Sequence, residues 1–366
     1  MKVAVILGTR PEIIKMSSII RECTARGLIC VIVDTGQHYD YAISKVFFEK
    51  LYLPPPHYQL RVGSGTHGQQ TGRLLIEIER VLLEEKPDFV LVQGDTNTVL
   101  AGGLAASKLR IRVGHIEAGL RSFDSSMPEE TNRILTDHLA DLLFAPTPET
   151  AENLRSEGIS DDKIFMTGNT IVDAVFQHRA IAKRESHVLD ELQLSEGSYF
   201  LSTVHRPENV DNRERLLAIL QSFQAVCERF NLPLVFPIHP RTRKMLRTFE
   251  LVLPDQVLPI EPVGYLDFLQ LEANAKMILT DSGGVQEEAC ILQVPCVTLR
   301  DNTERPETVR VGANIVSGVQ PEGIVTCAGR MISVPRNWPN PFGDGTAYCR
   351  ILDVIQASAA CINQAV

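Results

Sequence analysis

The feature that most constrains this chain is an alternation kept up from one end to the other. Short β-rich apolar runs at residues 2–7, 30–34, 89–92, 112–116, 142–145 and 164–166 are each followed by glycine or polar residues. A segment of helical spacing then follows, as at 74–85 and 132–139. Runs apolar on both faces and separated by helices belong to parallel strands in a doubly wound sheet, where both faces are covered. The pattern pauses over a charged interval at 180–197, then restarts at 199–204, 234–238, 257–260, 277–279, 296–299 and 313–316. Two Rossmann-like α/β domains are therefore expected, over residues 1–175 and 195–349, with a linker near 170–197. A length of 366 residues fits two domains of about 150 to 200 residues each. Such domains bind ligands beyond the carboxyl ends of their strands, so a cleft between them is the expected site.

Composition narrows the function. A net charge of −9 argues against non-specific nucleic-acid binding, and 44% apolar residues with 22% charged indicate a folded protein with ample core. No apolar run approaches the ~18 residues of a membrane span. The opening MKVAVILG reads as a strand rather than a signal peptide, so a cytoplasmic protein is expected. Eight cysteines lie scattered with no CxxC pair, as expected of small buried residues in a reducing compartment. Neither HxH nor HExxH occurs, so no metal site is expected.

The informative polar residues stand just past the strand ends. Gly8-Thr9-Arg10-Pro11-Glu12 follows the first run and leads into a helix carrying Lys15, which puts two cations near a helix start. QGDTN places Asp95 after the third run, and HIEAGLRS places Glu117 after the fourth. A buried strand that ends in a carboxylate must keep it solvated, paired or functional. Asp95 has the alternative of capping a helix that begins near Thr96. Glu129 and Glu130, in SMPEETNR, sit at another helix start, where the dipole favours them. In the second half, His205 and Arg206 (STVHRPEN) and His239 (FPIHPR) follow successive strands as candidate ligand contacts, and Arg305 lies beyond a later one. Residues 279–289, LTDSGGVQEEA, pose a question of charge. A strand, a glycine turn and a helix read as opening at Gln286 make an anion site, yet Glu287 and Glu288 then fall in its first turn.

Taken together, GTRPEIIKM, TGQHYD, GSGTHGQQTG, GDTNT, HIEAGLRSFD, MPEETNR, GNTIVDA, HRPENVDN, EPVGYL, LTDSGGVQEEA, RDNTERPETV and NPFGDG resemble, in order, the non-hydrolysing UDP-N-acetylglucosamine 2-epimerases. The resemblance covers nearly the whole chain. It implies two Rossmann-like halves of the GT-B type facing a cleft, usually a homodimer, with the final helix, about residues 350–366, crossing back onto the first domain. It implies a UDP-sugar substrate, no cofactor and no metal. Asp95, Glu117 and Glu129 match the family's catalytic carboxylates, and His205 matches a histidine placed near the diphosphate and taken here with the catalytic set. Arg10, Lys15 and Arg305 match nucleotide-sugar contacts, and Arg206 and His239 are added to them as substrate-binding residues. Ser282, Gly283 and Gly284 would offer donors to the diphosphate, Glu288 would accept hydrogen bonds from the ribose diol, and the stretch from Val263 to Phe268 would line the uracil. On that reading Glu288 faces sugar hydroxyls rather than phosphate, which removes the conflict of charge.

The implied reaction is reversible inversion at C2 of UDP-N-acetylglucosamine, by elimination of UDP to 2-acetamidoglucal and re-addition, with the product usually feeding surface polysaccharide. Many bacterial members are also activated by their substrate. In this chain Asp40 and Pro207 replace residues associated with the activator site, while Gln37, Arg206 and His239 remain available to it. Alternatives are a 2-epimerase of a modified sugar such as UDP-2,3-diacetamido-2,3-dideoxyglucuronate, a hydrolysing relative, and a GT-B glycosyltransferase.

Overall fold

A computed structural model describes residues 1–37 and 41–363, and the side chains among them except 41–44 and 361–363, so that Asp40 lies outside the described residues. The chain divides into two compact units, residues 1–176 with 342–366, and residues 177–341.

The first unit is built on a parallel sheet of β1 (Lys2–Leu7), β2 (Ile29–Asp34), β3 (Tyr58–Gln59), β4 (Phe89–Gln93), β5 (Arg112–Ile116), β6 (Leu142–Ala145) and β7 (Ile164–Met166). Its spatial order is β3-β2-β1-β4-β5-β6-β7. The runs read as strands form them because Val, Ile, Leu and Phe on both faces lose all contact with water: Val3 to Leu7 and Phe89 to Val92 are at most 1% exposed. Strand order reverses between β1 and β4, so the turns after these two strands flank the crevice where a doubly wound sheet holds ligands.

Helix Arg10–Ala25 starts at the end of β1, with Thr9 extended before it and Pro11 in its first turn. The carboxylate of Glu12 turns back to accept from the backbone N–H groups of Gly8 at 2.6 Å and Thr9 at 3.0 Å. Gly8 is required by space: a Cβ there would overlap Thr35 Oγ1 and Thr98 Oγ1, which share a hydrogen bond of 2.9 Å. Gly8→Ala should therefore cost about 1–3 kcal/mol of stability in denaturant unfolding. An unchanged midpoint would contradict the close approach. Helix Ala347–Asn363 packs on helix Arg10–Ala25, where Arg26 Nη1 reaches Asp353 at 2.6 Å and Gln356 at 2.8 Å.

The second unit repeats the plan with β8 (Phe200–Thr203), β9 (Leu234–Pro237), β10 (Val257–Ile260), β11 (Met277–Thr280), β12 (Cys296–Thr298) and β13 (Asn314–Val316), all parallel, in the order β10-β9-β8-β11-β12-β13. Here the reversal falls between β8 and β11. Two local expectations change. Residues read as linker carry a helix, Thr170–Glu185, because Ala, Lys, Arg and Glu are good helix formers even where the apolar stripe fades. The helix after β11 opens at Gly283, three residues earlier than Gln286, with Ser282 extended as its N-cap and Gln286 N bonded to Ser282 O at 3.2 Å.

Candidate functional site

In the first unit, four carboxylates collect beyond the switch point. Glu117 follows β5, is nearly buried, and adopts φ +68°, a left-handed conformation that costs a non-glycine residue of order 1 kcal/mol or more. That turn sets its carboxylate over Gly94, where a Cβ would stand 3.6 Å from Oε2. Lys15 Nζ holds Oε1 at 2.6 Å, and Gln93 Nε2 donates to Oε2. Asp95, just past β4, is gripped by Arg133 Nη2, while the Asp95 carbonyl accepts from Asn132 Nδ2 at 2.9 Å. Thr96, not Asp95, caps the helix Asn97–Lys108. Glu130 takes the other side of the Arg133 guanidinium at 2.8 Å, and bonds from Ser122 and Phe123 help hold its pKa low against burial. Glu129, one turn before Arg133 on helix Pro128–Leu139, has no hydrogen bond or ion pair among the described residues. Arg10 is exposed, its guanidinium 5.6 Å from the Phe47 ring centre.

Beneath these groups lies a buried charged chain. His115 Nδ1 meets Asp137 Oδ1 at 2.6 Å and Nε2 meets the Gly94 carbonyl at 2.9 Å. Both ring nitrogens face acceptors, so the ring carries both protons. Burial opposes that charge, but the Asp137 carboxylate outweighs it and the His115 pKa is raised. Asp137 in turn takes Arg121 Nη2 at 2.7 Å and Gly119 N at 3.1 Å, and Arg121 continues to Glu157 at 2.6 Å. His115 thereby ties the turn that precedes Asp95 to helix Pro128–Leu139.

Glu12 is pushed up to about 7 by burial, which exceeds the pull of its hydrogen bonds from Thr96, Gly8 and Thr9. Asp173 is likewise pushed up to about 7 by burial. A carboxyl whose folded pKa exceeds its unfolded value contributes fully below that unfolded value, and its contribution fades as pH climbs through the folded one. The raised His115 acts in the same sense. The melting temperature should fall between about pH 5 and about pH 8 in scanning calorimetry. A rise over that interval would contradict these three environments.

In the second unit the keystone is Asp281, fully buried after β11. Its oxygens accept from His205 N at 3.0 Å, Arg206 N at 2.9 Å and Asn209 Nδ2 at 3.1 Å, which fastens the HRPEN turn after β8 to the DSGG turn. The His205 and His239 rings lie 5.7 Å apart. His239 Nδ1 accepts Arg241 N at 3.2 Å, and burial, then His205 and Arg241, lower its pKa, so it is a neutral ring with its proton on Nε2. Outside its own helix, a Cβ on Gly284 would meet no atom of the described residues within 4 Å, so their packing does not explain glycine there.

The question of charge at this turn has a structural answer. Gly283 and Gly284 occupy the first helical turn, while Glu287 and Glu288 stand in the second. Glu287 Oε1 pairs with Arg305 Nε at 2.7 Å. Glu304 collects Arg300 at 3.1 Å and Arg206 at 3.5 Å, and these cations with Arg305 lower its pKa against the opposing effect of burial. Glu287 and Glu304 are each matched by arginine, and the glycine N–H groups remain the helix's forward edge.

The expected residues fall in the segments that follow the strands of their own sheets: Arg10, Lys15, Asp95, Glu117 and Glu129 in the first unit, and His205, Arg206, His239, Ser282, Gly283, Gly284, Glu288 and Arg305 in the second. Val263 precedes helix Tyr265–Asn274 and Phe268 lies in its first turn, both part-buried. Sequence reasoning passed over Glu12, Gln93, Arg133, Asp137, Asn209 and Asp281. For Arg133 a signal existed, since the spacing from Glu129 and Glu130 puts it on the same helix face.

Two doubly wound α/β units, each with polar groups gathered at its switch in strand order, define a two-domain nucleotide-binding architecture of the GT-B type. The family described as UDP-N-acetylglucosamine 2-epimerase matches residues 21–356, and the chain belongs to it. A Methanococcus maripaludis protein named UDP-N-acetylglucosamine 2-epimerase is 56% identical over 361 residues, 97% of this chain and 98% of that one. The crystal structure of Methanocaldococcus jannaschii UDP-GlcNAc 2-epimerase in complex with UDP-GlcNAc and UDP superposes with a TM-score of 0.86 at 56% identity, covering 98% of this chain and 100% of that one. A Pseudomonas aeruginosa UDP-2,3-diacetamido-2,3-dideoxy-D-glucuronate 2-epimerase is 44% identical over 363 residues, 97% of this chain and 99% of that one.

Proposed function

We propose that this chain interconverts UDP-N-acetylglucosamine and UDP-N-acetylmannosamine. The observation that carries the reading is 56% identity, across essentially the whole chain, to proteins named for the 2-epimerase. Inverting C2 means removing a proton that no adjacent carbonyl acidifies. Breaking the C1–O bond first lets UDP leave with the electron pair, and the positive charge at C1 is stabilised by nearby carboxylates, as in glycosidases. That charge acidifies C2–H. A carboxylate takes the proton, and the C–H electrons become the C1=C2 bond of 2-acetamidoglucal. Returning a proton to the opposite face of C2 while a UDP oxygen re-forms the C1–O bond gives the epimer.

Asp95 and Glu117 handle the protons, with Glu129 as a second base or their electrostatic partner. The geometry supports roles for their partners. Lys15 and Gln93 aim Glu117, and Arg133 aims Asp95, so that neither carboxylate must reorganise during the reaction. In the second unit, Arg206, His205 and the Ser282–Gly284 N–H groups hold the diphosphate, Glu288 the ribose, and Val263 to Phe268 the uracil. Arg10 and Arg305 complete the nucleotide contacts. On the same reading the enzyme works as a cytoplasmic homodimer, consistent with the finding that no helix among the described residues is long and apolar enough to cross a membrane.

Incubation with UDP-N-acetylglucosamine alone, followed by NMR, should give a mixture of two UDP-sugars. Free N-acetylmannosamine with UDP would assign a hydrolase. Inertness toward this sugar with turnover of the 2,3-diacetamido uronate would assign the reaction named for the 44% identical relative.

A further inference from the structure

Beside the first turn of helix Gly283–Ile291 stands a carboxylate that the reaction does not use. Glu304, in the loop after β12, places Oε2 3.6 Å from where a Cβ on Gly283 would lie. The same oxygen faces Arg206 Nη2 at 3.5 Å, and Oε1 accepts from Arg300 Nη2 at 3.1 Å. Burial raises the Glu304 pKa, but Arg206 and Arg300 outweigh it and hold the pKa low, so the group is an anion at neutral pH. An anion at the start of a helix, gripped by two guanidinium groups, draws on the donors that bind phosphate at such turns.

The two arginines can donate more than Glu304 accepts. The atoms Arg206 Nε and Arg300 Nη1 are buried, yet neither meets an acceptor among the described residues. The other acidic neighbour of Arg300 is Glu208, 3.7 Å from Nε. A diphosphate carries more oxygens and more charge than a carboxylate, and can use donors that Glu304 leaves over. The loop itself is pinned on both sides of Glu304. Thr303 Oγ1 donates to the fully buried Gln286 at 2.5 Å and accepts from Arg305 N at 3.0 Å. The Glu304 side chain, 37% exposed, can therefore leave the arginines by rotating into water while the backbone stays in place.

We propose that Glu304 is an internal competitor of the substrate: its carboxylate and the diphosphate contend for Arg206, Arg300 and the Gly283 turn, and the diphosphate binds by displacing it. The proposal rests on the reading of this turn as the diphosphate site. Two anions drawing on the same cations repel each other, so part of the attraction for the diphosphate is offset by the contacts that Glu304 gives up. The consequence is weaker ground-state binding of the UDP-sugar, which raises KM and lets the product leave as the carboxylate returns.

The test titrates UDP by calorimetry into the full chain as wild type, Glu304→Gln and Glu304→Ala. Removing the competing charge should tighten UDP binding by about tenfold, the size of one like-charge repulsion between part-exposed groups. KM for the UDP-sugar should fall by a similar factor. Uridine, which carries no phosphate, is titrated at millimolar concentration by NMR and should bind the variants as it binds the wild type. Either variant suffices if the other does not fold. A residue that merely shaped the loop would weaken UDP binding when lost, so weaker or unchanged binding in the variants would overturn the proposal. A gain shared equally by uridine would also overturn it, because the effect would then not pass through the phosphates. A gain for UDP without any epimerisation would instead overturn the functional reading and leave the role of Glu304 standing. A wild type that does not bind UDP would overturn both.

Discussion

Replacing Asp95 by Asn should reduce epimerisation by about a thousandfold or more, while UDP affinity stays within a few-fold of the wild type. The rate effect follows from removing a group that carries a proton, a contribution of roughly 10²–10⁴-fold in general acid–base catalysis. The loss of negative charge near C1 adds to it. UDP affinity should hold because Asp95 belongs to the first unit's carboxylate cluster, whereas the diphosphate and uridine contacts proposed for UDP lie mainly in the second. Folding should also survive, because Arg133 retains Glu130 at 2.8 Å and the Asp95 carbonyl retains Asn132 at 2.9 Å. Stopped-assay kinetics beside calorimetric UDP titration measure both quantities. If UDP binding collapsed together with turnover, Asp95 would be a binding or structural residue.

The second large effect concerns the charged chain beneath the site. Asp137→Ala removes the one acceptor that His115, Arg121 and the Gly119 N–H share, all of them buried. His115 can answer by losing a proton, and Arg121 keeps Glu157, so the loss falls short of a bare buried charge. A bare buried charge would cost about 3–5 kcal/mol, so the loss here should stay below that, lowering the melting temperature of a unit of this size by up to roughly 10 °C. Activity should fall further than stability at working temperature requires, because His115 also fixes the Gly94 carbonyl just before Asp95. Asp137→Asn, which retains an acceptor, should be milder on both counts. Equal melting temperatures for Asp137→Ala and the wild type would mean that the chain is solvated and contributes little.

These expectations indicate which features can be read from a sequence. The sheets were legible because every long strand announces itself locally, as a short run of Val, Ile, Leu or Phe that must be covered on both faces. Strand β3 was not, because Tyr58-Gln59 has no apolar run and exists only by pairing with Val33 and Asp34. The helix at Thr170–Glu185 escaped for a related reason, since its charged second half looks like solvent-facing chain although its propensity is helical. Two glycines suggested a longer turn after β11, whereas they form the first turn of the helix.

The site divides in the same way. Residues at strand ends are fixed by topology, so Asp95, Glu117, His205 and Ser282 could be singled out in advance. Their partners could not. Lys15 meets Glu117 across 102 positions, and Asp281 meets His205 across 76. Those pairings are consequences of packing, and no local pattern encodes them. They also alter the chemistry. Asp95 and Glu117, read as proton carriers, are each held by a cation, and Glu129 is the member of the set that the described residues leave unengaged.

The central claim is that C2 loses and regains a proton while UDP is detached from C1. Turnover of UDP-N-acetylglucosamine in heavy water, followed by proton NMR of the C2 position, tests it most directly. Solvent deuterium should appear at C2 of the product at the pace of epimerisation, and a product that kept its original hydrogen would contradict the mechanism.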